Sequence, residues 1–116
     1  MRDEPHLILT ERNLRETARL YLGGTAADDP MASPIFGKFR GLPPLYVQAS
    51  GKDLLREDSV RLRDAYAKQN LGLKLEIFPD MLHSFQFFAG NVPEAEAAIM
   101  KAAALLELEY TSRRSQ

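Results

Sequence analysis

Apolar residues recur along the chain with helical spacing in three segments and with strand-like patterns in two. The first helix is predicted to begin after Thr10, a favourable N-cap residue, and to stop at Gly23 and Gly24. Its apolar positions are Leu14, Ala18, Tyr21 and Leu22. Residues 25–43 are predicted to form a long loop, because "DDPMASPIFGKFRGLPP" contains four prolines and two glycines, which interrupt regular structure.

Two strands separated by a helix are predicted after this loop. The first strand covers residues 44–50, "PLYVQAS", which are partly β-branched and aromatic and are followed by glycine. Residues 54–69 show a helical pattern, with apolar residues on one face and charged residues on the other. Residues 73–78, "LKLEIF", alternate apolar and polar side chains, as expected for a strand with one buried face.

A last helix is predicted to be capped by Asn91, with Pro93 in its first turn, and to end at Tyr110. Residues 111–116 would then form a tail. The predicted apolar stripe consists of Ala95, Ala98, Ile99, Ala102, Leu105, Leu106 and Tyr110. Acidic residues near the start of this helix and arginines after its end match the preference of the helix dipole.

The order of these elements predicts an α/β fold with an incomplete sheet. A helical crossover between residues 44–50 and 73–78 implies that the two strands are parallel. Parallel strands normally lie inside a larger sheet with helices on both faces, and two strands cannot form such a sheet. We therefore expect residues 1–116 to be one partial domain, in which a leading helix and loop precede a strand-helix-strand-helix unit over residues 44–110.

Composition excludes several classes of function. The 15 Lys+Arg and 16 Asp+Glu give a net charge of -1, which does not favour nucleic-acid binding. The chain has no cysteine, and His6 and His83 lack ligand-like spacing, so we expect no metal site and no cofactor. The first residues lack the apolar core of a signal peptide or membrane anchor. The expected location is therefore cytoplasmic, without membrane binding.

Two residues at the carboxyl ends of the predicted strands are candidates for catalysis. Asp53 follows the first strand and His83 follows the second, so both side chains should emerge at the same edge of the sheet. A carboxylate on one imidazole nitrogen fixes the tautomer and leaves the other nitrogen to accept a proton. The alternative role for Asp53 is to cap the helix that follows it. The alternative for His83 is that of an ordinary histidine in a surface turn.

Five short motifs follow one another along the chain: "YLGG", "DPMASP", "GLPP", "GKDLLREDS" and "HSF". In this order they resemble the C-terminal part of the hormone-sensitive-lipase-like carboxylesterases, a branch of the α/β-hydrolase fold, and the resemblance extends from about Asp3 to Tyr110. The last motif is usually His-Gly-Phe in that family. The resemblance implies that Asp53 is the acid and His83 the base of a catalytic triad. It also matches Asp58 to a second acidic position, which we expect to be structural.

The nucleophile of such a triad is missing from this sequence. Triads in this fold run in the order nucleophile, acid, histidine, and the nucleophile lies in a G-x-S-x-G motif that the chain lacks. The His-Gly-Gly oxyanion loop of these esterases is absent too. None of the other candidate serines lies in a nucleophile elbow: Ser33, Ser50, Ser59 and Ser84. We therefore expect the N-terminal half of the hydrolase, with most of its sheet, to come from another chain or to have been lost.

Three functions follow from these observations. The first is the acid-and-histidine segment of an esterase of short-chain carboxylic esters, a small-molecule substrate. Leu54, Leu55 and Phe85 are candidate pocket walls, and core packing is the alternative role for these three. The second is a non-catalytic binding or assembly module, because unpaired strand edges favour pairing with another chain, either as a homo-oligomer or with a complementing chain. The third is a segment of a prolyl-oligopeptidase-like peptidase.

Overall fold

The computed structural model describes residues 9–114, and it forms two compact units divided between His83 and Ser84. His6 and the last two residues of the predicted tail lie outside the described residues. The first unit contains helix α1 (Glu11–Leu22), strand β1 (Leu45–Ser50), helix α2 (Arg56–Lys68) and strand β2 (Leu73–Phe78). The second unit contains helix α3 (Pro93–Arg114). Short 3₁₀ turns, Pro34–Phe36 and Phe85–Phe88, lie one in each unit.

Helix α1 has the caps that its sequence predicts. The side chain of Thr10 accepts a hydrogen bond from the backbone N–H of Asn13. Gly23 adopts a left-handed conformation with φ of 53°, and its N–H donates to the carbonyl of Arg19. The apolar face of the helix is not buried, however, since none of its residues reaches the core and Tyr21 is exposed. The capping residues therefore define the ends of α1 although no other element within residues 9–114 buries its apolar face.

Strands β1 and β2 pair in parallel, as the crossover predicts. Their register runs from Leu45 opposite Leu73 to Ser50 opposite Phe78. Within residues 9–114 the sheet consists of these two strands, so each strand has one edge without a strand neighbour in this part of the chain. The predicted alternation along β2 fails at Ile77, whose side chain is 39% exposed. Burial of a strand face depends on the layer that packs against it, and the layers within residues 9–114 leave Ile77 partly exposed.

The core of the first unit forms where helix α2 packs against the sheet and the preceding loop. Its buried apolar residues are Phe39, Ala49 and Tyr66. The rings of Phe39 and Tyr66 stack with centroids 4.3 Å apart and an interplanar angle of 18°. Such a pair contributes about 0.5–1.5 kcal/mol beyond the area that it buries. The exposed charged residues of α2 lie away from this core, as its pattern predicts: Arg56, Glu57, Arg61 and Arg63.

Gln69 fastens the loop before β1 to the end of helix α2. Its Oε1 accepts from the N–H of Phe39 at 3.0 Å, and its Nε2 donates to the carbonyl of Gly37 at 3.0 Å. We expect Gln69→Ala to lower the free energy of unfolding by about 2 kcal/mol, because two backbone groups lose their partner. Urea denaturation measures this, with Lys68→Ala as the control at an exposed neighbouring position. Equal stability of the two variants would contradict the role of Gln69.

The second unit is small and mostly helical. Its 3₁₀ turn packs against α3, and its buried apolar residues are Phe85, Ala95 and Ala98. Helix α3 begins at Pro93, so the cap position falls on Val92 and not on the predicted Asn91; the carbonyl of Val92 accepts from Glu96. The helix continues to Arg114, four residues beyond the predicted end. Much of the predicted stripe is exposed: Ile99, Leu106 and Tyr110.

Candidate active site

The loops after β1 and β2 are held together at one edge of the sheet. Beyond the last paired residues of the strands, the N–H of Gly51 donates to the carbonyl of Phe78 at 2.7 Å. The N–H of Lys52 then donates to the carbonyl of Met81 at 3.1 Å. The parallel pairing therefore continues into the loops, which carry Asp53 on one side and His83 on the other.

Asp53 is held by both of its carboxylate oxygens. Its side chain is 9% exposed, and Oδ1 accepts a hydrogen bond from the backbone N–H of Leu55 at 2.9 Å. Helix α2 begins at Arg56, so the cap position belongs to Leu55, and the alternative role of Asp53 as the N-cap residue is wrong. Asp53 instead forms the turn that leads into the helix. This bond fixes the carboxylate while Oδ2 remains available for a second partner.

The second partner of Asp53 is the imidazole of His83. Nδ1 of His83 lies 2.7 Å from Oδ2 of Asp53, and the histidine side chain is 32% exposed. An ionised carboxylate can only accept hydrogen bonds, so Nδ1 carries the proton and donates a hydrogen bond to Oδ2. In neutral imidazole the lone pair is then on Nε2, to which no group of residues 9–114 forms a hydrogen bond. This is the tautomer that a general base requires.

The other candidate residues lie in different surroundings. Leu54 is exposed and Leu55 is half-buried beside Asp53, whereas Phe85 is 3% exposed within the second unit. The burial of Phe85 fits core packing. Asp58 is exposed on α2, where its Oδ1 accepts from Arg61 at 3.4 Å.

Two of the candidate serines have structural features that the sequence does not reveal. Ser50 is 5% exposed, and its Oγ donates to the carbonyl of Leu82 at 2.6 Å, so its hydroxyl is already engaged. Ser84 has a left-handed φ of 54°, a conformation that glycine adopts with little cost. This agrees with the glycine of the His-Gly-Phe motif at the corresponding position. Neither Ser50 nor Ser84 lies in a strand-to-helix elbow.

Two surface grooves of the first unit lie away from the Asp53–His83 pair. One has a volume of about 640 Å³ between the loop around Ile35 and helix α2, and it is lined by Asp58, Arg61 and Leu62 on the helix side. The other, of about 370 Å³, is lined by the same loop and by the end of α2. Neither groove includes Asp53 or His83. We therefore place the candidate chemistry at the hydrogen-bonded pair and not at the larger cavity.

No group of three or more His, Asp or Glu side chains within residues 9–114 is arranged to hold a metal ion. In the same part of the chain, every helix is too short or too polar to span a bilayer.

The chain is similar to known hydrolases in sequence. A family model described as the alpha/beta hydrolase fold matches residues 2–87. The acetyl-hydrolase of Streptomyces hygroscopicus is 35% identical over 100 residues, which are 86% of this chain and 33% of that protein. The chain thus spans about a third of the length of this curated relative.

Solved structures of other proteins share the fold of the chain. An esterase from the bacterial hormone-sensitive lipase family superimposes with a TM-score of 0.82 at 34% identity, covering 87% of this chain and 34% of that one. EstE5, in crystals soaked with p-nitrophenyl butyrate, superimposes with a TM-score of 0.83 at 29% identity, covering 88% of this chain and 35% of that one. These neighbours agree with an α/β-hydrolase fold that is present here in part.

Proposed function

Because the chain belongs to the α/β-hydrolase fold family, in its esterase and lipase branch related to hormone-sensitive lipase, we propose that it supplies two members of a Ser-Asp-His triad. Asp53 is the acid and His83 the base of this triad. The observation that supports the proposal is the 2.7 Å contact between Nδ1 of His83 and Oδ2 of Asp53. It leaves Nε2 in the form that accepts a proton from a nucleophile.

The proposed reaction is the hydrolysis of a carboxylic ester. A serine attacks the ester carbonyl while Nε2 of His83 takes its proton, and backbone N–H groups stabilise the oxyanion. His83 then protonates the leaving alcohol, and the same residue later activates water to release the acid. Asp53 keeps the imidazole in its tautomer and stabilises the imidazolium.

In this proposal the serine and the oxyanion donors come from residues other than these 116. The sequence contains no G-x-S-x-G, and the hydroxyl of Ser50 already donates to the carbonyl of Leu82. The pair alone offers only weak general-base catalysis, because the covalent step and the oxyanion site supply most of the rate. The proposal therefore concerns a role within a larger catalytic assembly.

A hybrid enzyme tests the proposal directly. In this hybrid, the chain replaces the matching 100 residues of the Streptomyces hygroscopicus acetyl-hydrolase, which keeps the rest of its own sequence. We expect the hybrid to hydrolyse p-nitrophenyl butyrate, and we expect the 116-residue chain by itself to be no faster than free imidazole. A folded hybrid without activity would argue against the triad role.

A second candidate function is that of an assembly module, and it is compatible with the first. In residues 9–114 each strand has an edge without a strand neighbour, and large apolar side chains remain exposed, among them Leu106 and Leu108 of α3. Unpaired edges and exposed apolar surface both favour association with another chain. The relatives named above give no support to the peptidase alternative.

We expect the purified chain to form a homo-oligomer or to require a complementing chain. Size-exclusion chromatography with light scattering should give a mass of at least twice 13.1 kDa. The control is the mutant Ile77→Lys, which places a charge on an exposed position of β2 and should shift the mass towards the monomer. A stable monomeric mass for the unmodified chain at micromolar concentration would contradict self-association.

A further inference from the structure

The segment that carries His83 is held by a hydroxyl at the end of strand β1 as well as by a carboxylate in the loop that follows this strand. Oγ of Ser50 donates to the carbonyl of Leu82 at 2.6 Å, and Leu82 directly precedes His83 in the chain. Ser50 is 5% exposed, so this bond lies inside the structure and not at its surface. A buried hydroxyl needs a partner, and here the partner is the backbone next to the base.

The bond lies where the backbone pairing between the two loops ends. The last hydrogen bond between the loops runs from the N–H of Lys52 to the carbonyl of Met81. The N–H of Met81 donates within its own segment, to the carbonyl of Phe78. Within residues 9–114, no backbone hydrogen bond holds Leu82 or His83. Beyond Met81, the hydrogen bond from the Ser50 hydroxyl to Leu82 is therefore the next contact that holds the segment leading to His83.

We infer that Ser50 is a positioning residue for His83, an inference that rests on the proposed triad. The imidazole is fixed at two points: Asp53 holds Nδ1, and Ser50 holds the peptide from which the side chain extends. Together these two contacts set the direction of Nε2. Ser50 is the last residue of β1 and Asp53 lies three residues later, so the acid and this anchor approach the histidine from the same end of one strand.

The direction of Nε2 matters for the rate because a general base must be aimed at the proton that it removes. Misplacement of a reacting group by about 1 Å can reduce a rate by about 100-fold. Without the Ser50 bond, the Leu82–His83 peptide can rotate while the substrate site remains intact. In the hybrid hydrolase, Ser50→Ala should therefore lower kcat by about 10- to 100-fold and leave KM unchanged.

Four variants at position 50 separate the hydroxyl from the volume of the side chain. Ser50→Thr retains the hydroxyl and suits a strand. Ser50→Val has the shape of the threonine variant, with a methyl group in place of the hydroxyl. Ser50→Ala removes the group altogether. Ser50→Cys offers only a weak S–H donor. A role of the hydroxyl predicts that threonine rescues function and that valine does not.

The decisive measurement is NMR of the 116-residue chain labelled uniformly with ¹⁵N, which reports the ring nitrogens of His83 and the backbone amides of both strands. In the unmodified chain we expect the Nδ1–H tautomer of His83 and a low-field proton resonance from its bond to Asp53. Ser50→Thr should retain both signals. Ser50→Ala and Ser50→Val should lose the low-field resonance and average the two nitrogen shifts, while the amide resonances of β1 and β2 stay in place.

The outcomes distinguish this inference from the proposed function. Unchanged imidazole signals in folded Ser50→Ala and Ser50→Val would overturn the positioning role. If both variants unfold, Ser50→Cys decides: partial loss of the low-field signal supports the inference, and an unchanged signal overturns it. Asp53→Asn in the same chain tests the triad pair itself. If Asp53→Asn leaves the His83 signals unchanged, the acid-base pair fails, whatever the Ser50 variants do.

Discussion

His83→Ala is expected to lower the kcat of the hybrid hydrolase by about 10⁶-fold, because the variant removes the group that transfers the proton in both halves of the reaction. Asp53→Asn should lower kcat by about 10⁴-fold, since an amide in place of the carboxylate favours the wrong tautomer of the imidazole. The measurement is p-nitrophenyl butyrate hydrolysis at saturating substrate. Both variants should retain the fold of the hybrid, as judged by circular dichroism.

Asp58→Asn provides the matched control for Asp53→Asn. The two residues are five positions apart and undergo the same chemical change. Asp58, however, is exposed, and its carboxylate pairs with Arg61 and not with the imidazole of His83. An exposed pair of this kind contributes little to stability, and we expect kcat within about twofold of the unmodified hybrid. If Asp58→Asn reduced activity as much as Asp53→Asn, the assignment of the acid would be wrong.

In the 116-residue chain alone, the same His83→Ala substitution is expected to change nothing. The hydrolysis of p-nitrophenyl butyrate should match the imidazole background before and after the substitution, because the sequence contains no activated nucleophile. Activity that is well above this background and lost in His83→Ala would reveal a nucleophile within the chain.

Gly51→Ala is expected to destabilise the chain more than a glycine-to-alanine substitution at any other glycine of residues 9–114. A Cβ at position 51 would overlap the carbonyl oxygen of Pro79 and lie 2.5 Å from the Cα of Pro79. Both atoms belong to the backbone, so relief requires the two loops to separate, which breaks the bond from the N–H of Gly51 to Phe78. We expect a loss of more than about 3 kcal/mol in the free energy of unfolding.

Urea denaturation measures this loss, and Gly72→Ala is the matched control. A Cβ at Gly72 would meet no atom within 4 Å, so the same change should be neutral or should stabilise by up to about 1 kcal/mol through the unfolded state. The loops that Gly51 joins carry Asp53 and His83, so Gly51→Ala should also remove the low-field resonance of His83. A midpoint for Gly51→Ala equal to that of Gly72→Ala would contradict the close approach of the loops.

Local sequence signals were sufficient for the order of the helices and strands and for the juxtaposition of the candidate residues, but not for the bounds of α3. Thr10 and Gly23 cap α1 because capping depends on a few neighbouring backbone groups. The crossover through α2 makes β1 and β2 parallel, and it brings Asp53 and His83 to one edge of the sheet because equivalent strand ends meet there. These features depend on chain connectivity and local chemistry, which the sequence states directly.

Features that depend on contacts between distant segments were decided only by the tertiary structure. Nothing near Ser50 in the sequence indicates that its hydroxyl reaches the carbonyl of Leu82. In the sequence, Gly51 only marks the end of a strand, and its close approach to Pro79 is visible only in the structure. The alternation along β2 predicted burial of Ile77, but burial depends on which layers cover a strand. The sequence by itself determined which residues could form the acid-base pair. The packing of the two loops decided how that pair is held, because close packing depends on atoms that lie about 30 residues apart in the chain.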